Sequence, residues 1–326
     1  MLRRIRSEWF FVCLCLCGVG LAGQVLAQSY PSKPVKLIVG QPPGGAIDVI
    51  GRIFANKLGA MWDQSVLVEN RPGATGNIGA ALVAKAAPDG YTFFIAASSL
   101  VTNGAVYSNL PYDPIKDFTP ISQVTYYSLV LVTHPSVAAT TLRGLVALAK
   151  AHPGKLMFSS AGNSTATHLT GELLRNAAGI DIVHIPYKGA AASTNDLLAG
   201  RVQFAFSNPI VALRPVQAGR LRALVTTGAK RSSIFPDIPT VGEAGFPELE
   251  AGNWHAIVGP AGLPRDIVSK LSLDITAVLQ MADVREQLTA TGVEPIGTTP
   301  EQLAALMRSE LEKWTKVIRA AGIKLD

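Results

Sequence analysis

The sequence predicts an α/β fold, and three observations carry that reading. Apolar segments of strand length alternate with helical patterns along most of the 326 residues. Three strand-to-helix junctions are built from small, hydroxyl and turn-forming residues: 35–48 (VKLIVGQPPGGAID), 156–174 (LMFSSAGNSTATHLTGELL) and 184–200 (HIPYKGAAASTNDLLAG). The second half follows the order of the first without repeating its residues, and the length suffices for two domains of ordinary size. Sequential strand–helix units imply parallel sheets covered on both faces, with ligands beyond the carboxyl ends of the strands.

The elements follow in order, beginning with a segment of another kind. Arg3, Arg4 and Arg6 precede an uncharged apolar stretch over 9–21, and Val25-Leu26-Ala27 suits cleavage, so 1–27 reads as a secretory signal peptide. The stretch is shorter than the roughly 20 residues a spanning helix needs. Cys13, Cys15 and Cys17 all fall inside it, and they follow Val12, Leu14 and Leu16, where lipidation would want a small residue. A chain cut after Ala27 holds no cysteine, hence no disulfide, thiolate nucleophile or cysteine metal ligand.

After the leader, 35–39 is an apolar strand, and 49–59 a helix with apolar residues at Val49, Ile50, Ile53, Phe54 and Leu58. A strand over 66–69 runs into the Asn70-Arg71-Pro72-Gly73 turn, and a helix over 78–86 stops at Pro88, Asp89 and Gly90. Strands are expected over 92–96, then, past the Pro-rich 110–114, over 121–124 and 129–133. A helix over 142–151 precedes the strand at Leu156, the Asn163 turn and its helix, the strand at Val183, and the helix from Ala191. Strands follow over 202–206 and 221–226. A Pro- and Gly-rich passage over 235–247 leads to a strand over 254–258, and helices over 265–280 and 300–320 close the chain. The late strand suggests that the C-terminal segment rejoins the first domain.

Charge and motifs narrow the function. The 29 Lys and Arg against 23 Asp and Glu give a net charge of +6, and the basic residues are scattered among acidic ones without aromatic interleaving, which speaks against nucleic acid. His134, His152, His168, His184 and His255 are dispersed, with no HExxH and no carboxylate cluster at metal-ligand spacing, so no metal is expected. The chain has no GxSxG elbow, no GxxxxGK[ST] loop and no GxGxxG, so neither catalysis nor a cofactor is expected; a Ser164–His168 arrangement is the one enzyme alternative. What remains is the three junctions. The first amides of a helix lack intrahelical partners and its dipole favours negative charge, so three such starts can hold a carboxylate without Arg or Lys.

The residues also carry a resemblance. In order stand YPSKPVKLIV, PPGGAID, VENRPGATGNIGA, AAPDGYT, LPYDPIKDF, HPGKLMFSSAGN, THLTGEL, HIPYKGAAAS, GRLRALVTTGAKRS, PDIPTVGEAGFP and GPAGLP. From Tyr30 to Lys324 the chain resembles the Bug, or TctC-like, family of periplasmic solute receptors, which serve tripartite tricarboxylate transporters. The resemblance implies a type II periplasmic-binding-protein fold, in which two α/β lobes close like a Venus flytrap on a small carboxylate: a di- or tricarboxylate, an acidic amino acid or an aromatic acid. Lobe one would be 28–125 plus 253–326, and lobe two 126–252. It further implies a monomer in the periplasm, partnered by membrane transporter subunits or, alternatively, by the periplasmic domain of a sensor kinase.

Carried over residue by residue, Gly44, Gly45, Ala46 and Ile47 would offer amides to the ligand. Asp48 joins them, with a dipole-stabilising role as the alternative. Ser98 and Ser99 would reach the cleft unless they are ordinary turn residues. Asn163, Ser164, Thr165 and Thr167 would serve the acid from lobe two, with N-capping as the alternative. His168 would lie beside them, or pack within its helix. Tyr187, Lys188, Gly189 and Ala190 would form the closing loop, with Lys188 alternatively in solvent, and Asn208 would donate to a ligand oxygen. The sequence departs from the family at Gln41, Ile47, Ser207 and His255, which favours an apolar or aromatic carboxylate over citrate.

Overall fold

The computed structural model describes residues 30–320 and residue 322. The signal peptide expected over 1–27 lies outside them. Among the described residues no helix is long and apolar enough to cross a membrane.

Strand β1 (Val35–Val39) is apolar at every position but Lys36, because both faces of its sheet are covered. It pairs in parallel with β2 (Val66–Asn70) and β3 (Thr92–Ala97). The connections are helix α1 (Ala46–Trp62) and, after a 3₁₀ turn at Ala74–Gly76, helix α2 (Asn77–Ala84). Helix α3 (Ser99–Val106) follows β3 directly. Strand β4 (Phe118–Ser128) then leads, with Leu129 between, into β5 (Val130–Thr133) of a second sheet.

That second sheet is built from α4 (Leu142–Ala151), β6 (Met157–Ser160), α5 (Ala166–Ala178), β7 (Val183–Pro186), α6 (Ala190–Leu198), β8 (Phe204–Ser207), α7 (Pro209–Gln217) and β9 (Arg222–Thr226). The chain returns to the first sheet in β10 (Gly252–Pro260) and ends with α8 (Arg265–Gln280), α9 (Ala282–Ala290), a short β11 (Glu294–Pro295) and α10 (Pro300–Ala320). The strand orders are β11-β4-β10-β3-β1-β2 and β7-β6-β8-β5-β9.

The expectation of parallel sheets needs correction. Strand β10 runs antiparallel between β3 and β4, and β5 runs antiparallel between β8 and β9, so both sheets are mixed. Each antiparallel strand belongs to a passage between sheets. A chain that leaves one sheet and later returns comes back from the opposite end, which no strand–helix period encodes. Helices α3, α7 and α9 have no counterpart among the elements that the apolar periodicity predicts. In α3 the run SLVTNGAV is rich in residues that favour turns, yet Leu100, Val101, Thr102, Asn103 and Val106 are buried, and packing overrides propensity.

The two sheets have separate cores. Ile38, Val83, Phe94, Trp254, Leu303 and Met307 belong to the first. Leu145, Phe158, Leu174 and Phe206 pack on one face of the second, and Val132, Leu197, Ala205 and Phe235 on the other. A third cluster spans elements of both: Trp314 and Ile318 of α10 meet Val106 of α3 and Leu169 of α5.

The two crossings between sheets are tied by one side chain. Thr227 Oγ1 accepts the Leu129 amide at 2.8 Å and donates to the Ala251 carbonyl at 2.6 Å, while the Thr227 amide donates to Leu129 O. Thr227 is wholly buried. Thr227→Val keeps the shape and removes the hydroxyl, leaving two buried backbone groups short of a partner. It is expected to cost about 2 kcal/mol, or roughly 5 °C of melting temperature. A thermal melt within 1 °C of the parent would show that backbone pairing alone holds the crossing.

Candidate functional site

The residues singled out by the sequence sit at the carboxyl ends of β1, β3, β6, β7 and β8. Helix α1 begins after Gly45, whose φ of −74° and ψ of 163° make an extended N-cap without a side chain to satisfy the first amides. Helix α6 begins the same way at Gly189, where φ is 105°. These two starts expose backbone donors as expected. The third, α5, differs: Thr165 Oγ1 accepts the His168 amide, so one of its first amides is satisfied by a side-chain cap.

Asp48 organises the first loop rather than facing a ligand. Its side chain is 3 % exposed and accepts from the Gly44 amide at 2.9 Å, Arg52 Nε at 3.0 Å and Asn70 Nδ2 at 2.9 Å. Burial would raise its pKa, but the bonds from Arg52, Gly44 and Asn70 outweigh that and hold it down at about 2. The amide of Gly44 is therefore committed inside the loop, leaving Gly45, Ala46 and Ile47 as its outward amides. The Ile47 side chain is buried, so it forms no wall to the cleft, while Gln41 is exposed.

The 161–168 turn is likewise committed to protein partners, some within it and some on α3. Ser164, at a φ of 58°, gives its hydroxyl to Asn103 Oδ1 at 2.9 Å and accepts Thr102 Oγ1 at its carbonyl at 3.2 Å. Thr167 Oγ1 accepts the Ala161 amide at 3.0 Å and lies 2.9 Å from Thr165 Oγ1. Asn163 sits half-buried beside them.

His168 is packed beneath this turn. Its Nδ1 accepts the Ser164 amide at 3.1 Å, and its ring stacks on His184 with centroids 3.9 Å apart. Burial, with the neighbouring His184 and Arg175, pushes its pKa down to about 3. Burial, with Arg175, takes His184 down to about 4. Both imidazoles are neutral at pH 7, and the Ser164 hydroxyl points to Asn103, so the enzyme alternative through this pair loses its geometry. His255 also turns inward, its Nδ1 2.7 Å from Thr125 Oγ1.

On the 187–190 loop, the Tyr187 hydroxyl donates to Asp196 Oδ2 at 2.7 Å and the Gly189 amide to Ala161 O at 3.0 Å. Lys188 is exposed. The Ser98 hydroxyl donates to Asn253 Oδ1 at 2.6 Å, and Asn253 Nδ2 donates to the Tyr127 hydroxyl at 2.7 Å. Ser99 lies half-buried at the first turn of α3. Asn208 caps α7, its Oδ1 accepting the Ile210 amide at 2.9 Å, and its side chain also hydrogen-bonds the Tyr127 hydroxyl. Sequence reasoning missed Asn253 and Tyr127, since each is an ordinary strand residue whose partner lies over a hundred positions away.

One cavity, of about 90 Å³, adjoins these groups. Thr167, Ala190 and Asn208 line it, together with Tyr127, Ala161, Ser193 and Ser207. The predicted residues of the first loop, and Ser98 and Ser99, do not. None of the side chains lining it is charged, which fits an anion held by hydroxyls and amides.

The chain matches the family described as the tripartite tricarboxylate transporter family receptor over residues 50–323. It is 38% identical over 308 residues to Protein BugT of Bordetella pertussis, covering 94% of both chains. Among solved structures it resembles an R. palustris protein with adipate, at a TM-score of 0.81 and 34% identity over 90% of this chain and 99% of that one. It also resembles MatC from Rhodopseudomonas palustris with bound malate, at 0.78 and 28% over 89% and 100%.

Proposed function

Because the chain belongs to the tripartite tricarboxylate transporter receptor family, we propose that it is a periplasmic solute receptor that captures a small carboxylate between two lobes and presents it to membrane transporter subunits. The family is one of receptors rather than enzymes. In this reading the lobes are 28–125 with 253–326, and 126–252. The division of strands between the two sheets supports that split, and relatives solved with adipate and malate support the ligand class. The observation that carries the reading is the pair of helix starts without side-chain caps, at Gly45 and Gly189, together with a cavity at the second of them whose lining holds no charged side chain.

A carboxylate held this way pays little reorganisation cost, because the backbone donors are fixed before it arrives. Ligand shifts the protein toward the closed arrangement by no more than its differential affinity for that state. Closure then reports occupancy to the membrane partner. The receptor acts as a monomer.

The test is a thermal-shift screen of residues 28–326, refolded to remove co-purified solute, against di- and tricarboxylates, acidic amino acids, alkyl acids and aromatic acids. Ligand at 100 times its dissociation constant stabilises by about 2.7 kcal/mol, raising the melting point by roughly 5 °C or more. Gly45→Leu is expected to abolish that shift without unfolding the protein. The φ of Gly45 suits any residue, and a Cβ there meets nothing closer than the Pro42 carbonyl at 3.5 Å. An unchanged shift in this variant would remove the first loop from the site.

A further inference from the structure

The cavity beside Asn208 does not stop at its polar mouth. It continues into the second sheet's own core, between α6 and α7, where Val132, Leu197, Ala205, Ala212 and Leu221 line it. The opening exists because the facing positions are small: Ala190, Ser193 and Thr194 on α6, Ala212 on α7, and Ala205 on β8 beneath them. Larger residues there would close the two helices onto the sheet, as elsewhere in this close-packed core.

Resting on the receptor reading above, we propose that the ligand is a short-chain aliphatic monocarboxylate, its carboxylate at the mouth near Thr167, Asn208 and the start of α6, and its alkyl tail in this slot. Three features fix the class. The depth of the slot holds no charged side chain, so a second carboxylate driven into it would be buried without a counter-ion. The one buried hydroxyl in its wall is already satisfied, since Ser193 Oγ donates to Ser159 Oγ at 2.8 Å, and it asks nothing of a tail. Of the apolar and aromatic acids that the sequence favoured, size selects the narrow, linear ones. An apolar cavity of roughly 150 Å³ accepts benzene, whereas this one offers about 90 Å³, room for a linear chain of a few carbons.

The experiment is calorimetric titration of ligand-free protein, residues 28–326, with propionate, butyrate, pentanoate and hexanoate, with succinate and glutarate, and with benzoate. Affinity is expected to rise about fourfold for each methylene added up to the length that fills the slot, by the usual value of a buried CH₂. The diacid of equal length should bind at least tenfold more weakly, and benzoate more weakly than pentanoate. Ala212→Leu, which projects into the slot, should flatten the chain-length series. Should that variant melt far below the parent, Thr194→Val supplies the second arm, expected to tighten the longer acids relative to propionate. Diacids or benzoate binding as tightly as the matched alkyl acid, with a series indifferent to position 212 or 194, would overturn the slot while leaving a carboxylate receptor in place. Binding of no acid of any class would overturn the receptor reading and the slot with it.

Discussion

Asp48→Ala is expected to be the most damaging single substitution in the first loop, costing about 3 kcal/mol of stability and eliminating ligand binding. The carboxylate collects three donors, the Gly44 amide, Arg52 Nε and Asn70 Nδ2, within 3.0 Å. Its removal takes the shared acceptor from all three, leaving Asn70 Nδ2 only the Gln41 carbonyl, and replaces the one buried member of the set by a methyl group that can hold none of them. In a protein this size the melting point should fall by roughly 10 °C. The loop then loses the bonds that shape residues 40–47, and with them the outward amides. Arg52→Ala is the control: its side chain is half exposed, so water replaces much of what it gives, and its loss should cost about 1 kcal/mol. Equal, small losses in both variants would show that the loop is held by its prolines and not by Asp48.

The second large effect is a loss of stability in acid, steepest between about pH 6.5 and 4. His168, His184 and His255 have folded pKa values pushed down to about 3, 4 and 4 from 6.5, in each case chiefly by burial. Below pH 6.5 the unfolded chain takes up protons that the folded one refuses, so stability falls with pH until the folded values are reached. The groups facing the stacked pair are named by the structure. Glu172 Oε1 lies 3.7 Å from His168 Nε2, and Arg175 Nη2 lies 2.6 Å from Glu172 Oε2. Burial raises the Glu172 pKa despite Arg175, and a raised carboxyl acts in the opposite sense, stabilising the folded state as pH falls toward 4.5. Three histidines against one glutamate leave a net loss of several kcal/mol. Asp48 adds a further loss below about pH 3.8, as its own depressed pKa is approached. Melting temperature against pH measures this directly, and His184→Gln should make the decline between pH 6.5 and 4 shallower. A flat profile over that range would mean that the imidazoles are hydrated in the folded state.

Much of the fold was legible because its signals are local. The strand over 35–39 and the helices over 142–151, 265–280 and 300–320 stand where the apolar periodicity put them. The helix at 209–217 has a local start signal, Asn208 as N-cap followed by Pro209, but Pro215 within it breaks the helical pattern. The site was only half legible. That a carboxylate would meet neutral donors followed from the composition of the turns, but which donors are free did not. Ser164, Thr165, His168 and Tyr187 look available in sequence, and each is committed to a partner that folding brings to it.

The sequence by itself determined the α/β class and the family, since both follow from residue types and their order along the chain. Tertiary structure decided the rest. It set the antiparallel return of β10 between β3 and β4, the stacking of His168 on His184, the bond from Asn253 to Tyr127, 126 positions away, and the slot between α6 and α7. The physical reason is the same in each case. A hydrogen-bond donor is free, an imidazole neutral, or a space empty only by virtue of what packs against it, and those neighbours are chosen by the fold.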